Sequence, residues 1–76
     1  MNAKTIAYYV NGSLQKTDEH ELEVKTILER AGFTPVSDYV LIRDDGNHKY
    51  TDPNQKVELH NGERFTALYQ KITPTS

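Results

Sequence analysis

Leu22-Glu23-Val24-Lys25-Thr26-Ile27-Leu28-Glu29-Arg30-Ala31-Gly32 is the stretch on which the fold turns. Val24, Ile27, Leu28 and Ala31 stand at offsets of 0, 3, 4 and 7, the spacing of one buried helical face. Lys25 and Glu29 stand four apart on another face. Gly32 is placed to take the left-handed position that closes a last helical turn. Thr34-Pro35 blocks continuation, because a residue before proline avoids the helical region. Phe33 is expected to fold back and close the end of the core. The stretch therefore reads as one short amphipathic helix with a glycine stop.

Both flanks read as strands. Upstream, residues 4–10 are rich in β-branched and aromatic types and lead into Asn11-Gly12. That pair is a strong two-residue hairpin signal, since both residues tolerate positive φ. The hairpin pairs Val10 with Ser13 and puts Tyr9 on the face of Leu14. Ile6, Tyr8 and Val10 then form one face, and Ala7, Tyr9 and Leu14 the other. Downstream, Tyr39-Val40-Leu41-Ile42-Arg43 is a central-strand candidate. Asp44-Asp45-Gly46-Asn47 is a turn, and His48-Lys49-Tyr50 a short return strand. Residues 51–56 are a loop or a single helical turn, followed by the apolar anchors Val57 and Leu59 around Glu58. His60-Asn61-Gly62-Glu63 turns into a last strand from Phe65 to about Gln70. The order ββαββ makes the chain an α+β domain, a four- to five-stranded sheet wrapped on one helix.

Alternation in the two late strands separates two sets of side chains. Tyr39, Leu41, Phe65, Ala67 and Tyr69 suit the face toward the helix; Val40, Ile42, Thr66 and Leu68 lie on the opposite face. One helix covers one sheet face. Val40, Ile42 and Leu68 are therefore candidates for a small exposed apolar patch of the kind that marks partner sites. The plainer alternative is that central strands favour β-branched residues on both faces.

The 76 residues, of which 36% are hydrophobic, allow one small domain. It is assigned to residues 1–71, with 72–76 as a C-terminal tail. The absence of cysteine excludes disulfides, thiolate metal sites, iron–sulfur ligation and a cysteine nucleophile. The first residues carry no apolar run of the kind found in signal peptides, and no segment approaches membrane-spanning length. A cytosolic protein without membrane contact is expected. The net charge is −2, and the lysines fall singly at 4, 16, 25, 49, 56 and 71, so no basic stripe for nucleic acid is present.

The remaining motifs read as turns rather than as chemistry. His20, His48 and His60 fall in predicted turns or element ends and have no helical metal spacing. Asp44-Asp45-Gly46-Asn47 lacks the spaced ligands and closing glutamate of a calcium loop. Ser13 sits in a hairpin, not at a strand–turn–helix elbow. The five tyrosines lack the basic groove of a single-strand binder. No catalytic residue, metal or cofactor is expected, and the chain reads as a non-enzyme.

Five pieces in order, Tyr9-Val10-Asn11-Gly12, Ile27 to Gly32, Tyr39 to Arg43, Asp52-Pro53 with Lys56-Val57, and Asn61-Gly62-Glu63-Arg64-Phe65, resemble the bacterial multiubiquitin type of ubiquitin-like domain. The likeness runs over roughly residues 6–69 and implies the β-grasp fold of the ubiquitin superfamily, with a mixed sheet. It also implies a protein modifier of a bacterial ubiquitination-like pathway, in some cases serving antiviral defence. The implied partners are an activating enzyme, a conjugating enzyme, a JAB-type metallopeptidase and target proteins. The C-terminal tail, Thr73-Pro74-Thr75-Ser76, would be the end that is activated and conjugated. By strand position, Ile42 and Leu68 would correspond to the apolar patch that ubiquitin offers its partners.

One feature departs from that pattern. Carriers of this kind end in Gly-Gly, which threads a narrow active site without side-chain clashes, whereas this sequence ends Thr73-Pro74-Thr75-Ser76, with Pro74 fixing its own φ. The departure leaves open an unusual tail, trimming by a peptidase, or a domain that is bound and never conjugated. The second reading is accordingly a non-covalent interaction module acting through Val40, Ile42 and Leu68. A third is a sulfur carrier of the thiamin or molybdopterin type, which would require the missing Gly-Gly.

Overall fold

The computed structural model describes residues 5–70. The strands are β1 (Ile6–Val10), β2 (Ser13–Thr17), β3 (Glu21–Glu23), β4 (Tyr39–Arg43), β5 (His48–Tyr50), β6 (Lys56–Glu58) and β7 (Glu63–Tyr69). The helix α1 (Val24–Arg30) follows β3 directly, and a 3₁₀ turn at Val36–Asp38 precedes β4. Five strands form a mixed sheet in the order β2-β1-β7-β4-β5. The first and last strands, β1 and β7, lie side by side at its centre and pair in parallel. The other three pairings are antiparallel.

The first hairpin forms as the sequence reads. Asn11 has φ 52° and Gly12 φ 81°, the two positive values of a type I′ turn, whose twist matches the strands it joins. The register pairs Val10 with Ser13 and Tyr9 with Leu14. Ile6, Tyr8 and Val10 are buried, while Ala7 and Tyr9 on the other face are half-buried.

The helix is shorter than its periodicity predicts, and its start is a correction. Leu22 and Glu23 are not helical; they belong to β3, which pairs with β6 in a separate two-stranded ribbon, Leu22 opposite Val57 and Glu23 opposite Lys56. Its first N–H groups have no side-chain cap. Those of Val24 and Lys25 donate instead to the carbonyls of Gln55 and Pro53, each at 2.9 Å. A local turn holds those carbonyls in place: the Asn54 N–H donates to the Asp52 carboxylate at 2.9 Å, and the Gln55 N–H to the Asp52 carbonyl at 3.0 Å. A distant loop thus supplies the partners that every helix start lacks. Lys25 pairs with Glu23 at 3.7 Å rather than with Glu29.

The end of the helix follows the glycine rule. Gly32, at φ 88°, donates its N–H to the Glu29 carbonyl at 3.0 Å, and Phe33 donates to the Leu28 carbonyl at 2.9 Å. These two bonds are the Schellman closure. Phe33 then packs edge-on against Tyr39, ring centroids 5.3 Å apart, and against the core.

Val24, Ile27 and Leu28 of α1 pack with Ile6, Tyr8, Val10, Leu41, Phe65 and Ala67 of the sheet, and Leu22, Val57 and Leu59 of the ribbon and the loop after it complete the cluster. Burying a side chain such as Ile27 or Leu28 contributes roughly 1.5–3 kcal/mol each. Tyr8 lies across the middle, edge-on to Phe65 with centroids 6.1 Å apart. Its hydroxyl has no hydrogen-bond partner among the described residues, and burial raises its pKa, against a smaller opposing pull from Arg30. Arg43 closes the end of the core. Its Nη2 donates to the Glu58 carbonyl at 2.6 Å, and its guanidinium carbon sits 5.7 Å from the centre of the Phe65 ring. Its Nε lies 3.4 Å from the Glu63 carboxylate but makes no aligned hydrogen bond, so that contact is Coulombic.

Candidate functional site

One face of the five-stranded sheet is closed by α1 and the ribbon. Among the described residues the other face carries no further helix or strand. Antiparallel pairing of β4 with β7 sets Val40 opposite Leu68 and Ile42 opposite Thr66, and pairing with β5 sets Ile42 opposite Lys49. The three predicted patch residues therefore share one face, with Val40 and Leu68 directly opposed in the ladder. Directly opposed side chains of this kind interact because their Cβ atoms are about 5 Å apart. Parity accounts for the separation: Leu41, Phe65 and Ala67, the intervening residues, are buried in the core.

The patch is less exposed than alternation alone predicts. Val40 is 8% exposed, although it lies outside the core cluster, and Leu68 is 41% exposed. Ile42 is half-buried. The accessible apolar surface is thus Leu68 with part of Ile42, and Val40, beside Leu68 in the ladder, is buried. Tyr69 departs in the other sense. It shares the core side of β7, with its ring 5.4 Å from that of Tyr39, but it is 57% exposed because it stands at the strand end.

A second group on the open face escaped the patch prediction. Tyr9 on β1 is opposite Leu14 on β2 and level with Arg64 on β7. Leu14 is half-exposed, and the Arg64 guanidinium lies 5.1 Å from the centre of the Tyr9 ring. Such a cation–π contact keeps the arginine over the Tyr9 ring. Arg64 and Leu68 stand on the same side of β7 with Thr66 between them, and the Thr66 hydroxyl donates to the Asp44 carboxylate at 2.8 Å. Extending the alternation from the late strands to the hairpin is enough to find this group in the sequence.

His20, His48 and His60 are exposed, and among the described residues no three His, Cys, Asp or Glu side chains gather as metal ligands. One shallow depression is lined by Thr5, Lys16, Thr17, Asp18, Glu19 and Arg30. The Thr17 hydroxyl in it accepts from the Glu19 N–H at 3.1 Å and from Arg30 at 3.4 Å. No helix among the described residues is long and apolar enough to cross a membrane. The predicted conjugation tail, Thr73, Pro74, Thr75 and Ser76, lies outside the described residues. Comparisons of the chain with protein-family models, with curated proteins and with solved structures find no match.

Proposed function

We propose that this chain is a ubiquitin-like protein modifier of β-grasp fold, working in a bacterial ubiquitination-like pathway of the multiubiquitin type, with a role in antiviral defence. On this reading it is a cytoplasmic protein and not an enzyme. An activating enzyme joins its C-terminal carboxylate to AMP, releasing pyrophosphate from ATP. A cysteine of the conjugating enzyme displaces AMP to form a thioester, and an amine of the target displaces that cysteine. A JAB-type metallopeptidase reverses the attachment.

The observation that carries the proposal is the arrangement around β7. This strand pairs in parallel with β1 at the centre of a mixed sheet and displays Leu68 beside Val40 on the open face. The strand ends one residue later, at Tyr69, and the N–H of the next residue, Gln70, donates to the Asp38 carbonyl at 2.7 Å. On this reading, β7 carries the docking surface and precedes the tail that would react. The sequence resemblance given above supports the same reading.

The test is to incubate the chain with ATP and the activating and conjugating enzymes of such a pathway, then read intact masses without reductant. A thiol-sensitive adduct is expected, and Leu68→Ala or Ile42→Ala should reduce its formation about tenfold if these side chains anchor the enzymes. Absence of an adduct, with enzymes active on another modifier, would overturn conjugation. It would favour the second reading, a non-covalent interaction module, which the exposed Leu14 and Leu68 on one face also support.

A further inference from the structure

The two Asn-Gly pairs do more than turn the chain. The ladder between β1 and β7 is short, running from Tyr8 opposite Glu63 to Val10 opposite Phe65. A side-chain amide continues it at each end. Asn11 Oδ1 accepts from the Ala67 N–H at 2.9 Å, and Asn11 Nδ2 donates to the Ala67 carbonyl at 3.3 Å. At the other end Asn61 Oδ1 accepts from the Ala7 N–H at 2.9 Å, while the Gly62 N–H donates to the Ala7 carbonyl at 2.7 Å. Asparagine followed by glycine is also chemically labile, because no glycine side chain obstructs the approach of its backbone nitrogen to the amide carbon.

We propose that Asn11-Gly12 is a self-modifying site gated by closure of β1 on β7. While the pair is shut, both polar atoms of the Asn11 amide are held by Ala67, away from attack. When the pair opens, the Gly12 nitrogen attacks Asn11 Cγ. The new N–Cγ bond forms, the Cγ–Nδ2 bond breaks, and ammonia leaves with the proton that Gly12 gives up. Water then opens one of the two carbonyl–nitrogen bonds of the succinimide ring, leaving aspartate or isoaspartate at position 11.

The product cannot remake the latch. A carboxylate only accepts hydrogen bonds, so an oxygen replaces the Nδ2 donor in front of the Ala67 carbonyl. Isoaspartate adds a backbone methylene inside a two-residue turn. Each opening thus carries a chance of irreversible loosening between the first and last strands. Asn61 is the internal control. Among the described residues its side chain serves as an acceptor, which aspartate preserves, and the nitrogen that would attack it is tied to Ala7.

The test has two arms. The full chain is held at mildly alkaline pH in buffer and in unfolding urea, and deamidation is mapped by peptide mass. At Asn11 the reaction in buffer is expected to be at least about tenfold slower, because it waits for strand opening; equal rates overturn the gating. Separately, Asn11→Asp and Asn61→Asp are compared by urea unfolding. Asn11→Asp is expected to lose more of the midpoint, and its failure to fold while Asn61→Asp folds gives the same answer. An Asn61→Asp loss as large as that of Asn11→Asp overturns the proposed loosening.

Discussion

Leu41 and Leu68 lie on adjoining strands, one residue out of register, and therefore on opposite faces of the sheet. Truncating each to alanine tests the assignment of the two faces. Removing three carbons from a fully buried leucine loses about 2.4 kcal/mol of transfer energy at ~0.8 kcal/mol per methylene. The cavity left behind brings the usual cost to roughly 2.7–5 kcal/mol. Leu41 is 0% exposed and should fall in that range. Leu68 is 41% exposed, so about three-fifths of the transfer term applies, with no enclosed cavity, giving roughly 1 to 1.5 kcal/mol. A domain of this size has about 4–11 kcal/mol in total. Urea unfolding followed by far-ultraviolet circular dichroism separates the two variants. With a slope near 1 kcal/mol per molar, Leu68→Ala should lower the midpoint by about 1 M, while Leu41→Ala should lower it by about 3 M or more, or leave the chain unfolded in buffer. Equal losses, or a larger one for Leu68→Ala, would refute the face assignment and with it the docking surface.

Substitutions at four single residues give further outcomes. Gly32→Ala should cost about 1–2 kcal/mol in urea unfolding, because alanine resists the left-handed conformation. At φ 88° an added Cβ meets no atom within 4 Å, so Gly32→Asn, which tolerates that conformation better, should cost less. Tyr8→Phe should be neutral or stabilising, since the hydroxyl it removes is buried without a partner among the described residues. The same variant should flatten alkaline unfolding. The folded pKa of Tyr8 is raised by burial, so above the unfolded value near 10 the unfolded chain releases a proton that the folded chain keeps, and stability falls with rising pH. Arg43→Met keeps an apolar stem near Phe65 but leaves the Glu58 carbonyl without its donor, which should cost roughly 1–3 kcal/mol. Glu63→Gln, which keeps the shape but removes the mostly buried carboxylate facing the Arg43 Nε, should cost more than the ~1 kcal/mol of an exposed pair.

What the sequence determined was mostly local. Asn11-Gly12 specified its turn because only residues that accept positive φ make a two-residue hairpin. Gly32 specified the helix end for the same reason. Alternation separated Leu41 from Val40 and Ala67 from Leu68, because a pleated strand must send successive side chains to opposite faces.

The tertiary structure decided everything that needed a distant partner. Helical spacing in Leu22 to Ala31 did not show that Leu22 and Glu23 would pair with β6, leaving the helix to start at Val24 against the carbonyls of Pro53 and Gln55. A seven-residue helix has little stability of its own, so strand pairing and long-range capping outweigh its propensity. Periodicity could place Val40 on the open face, but not show that it would be buried there beside Leu68. The side chains of Asn11 and Asn61 are legible as turn formers, yet their second task, extending the β1–β7 ladder at both ends, appears only once strands more than fifty residues apart are side by side. Hydrogen bonds within a turn are written in adjacent residues; those that close a sheet between the two ends of a chain exist only after the chain has folded.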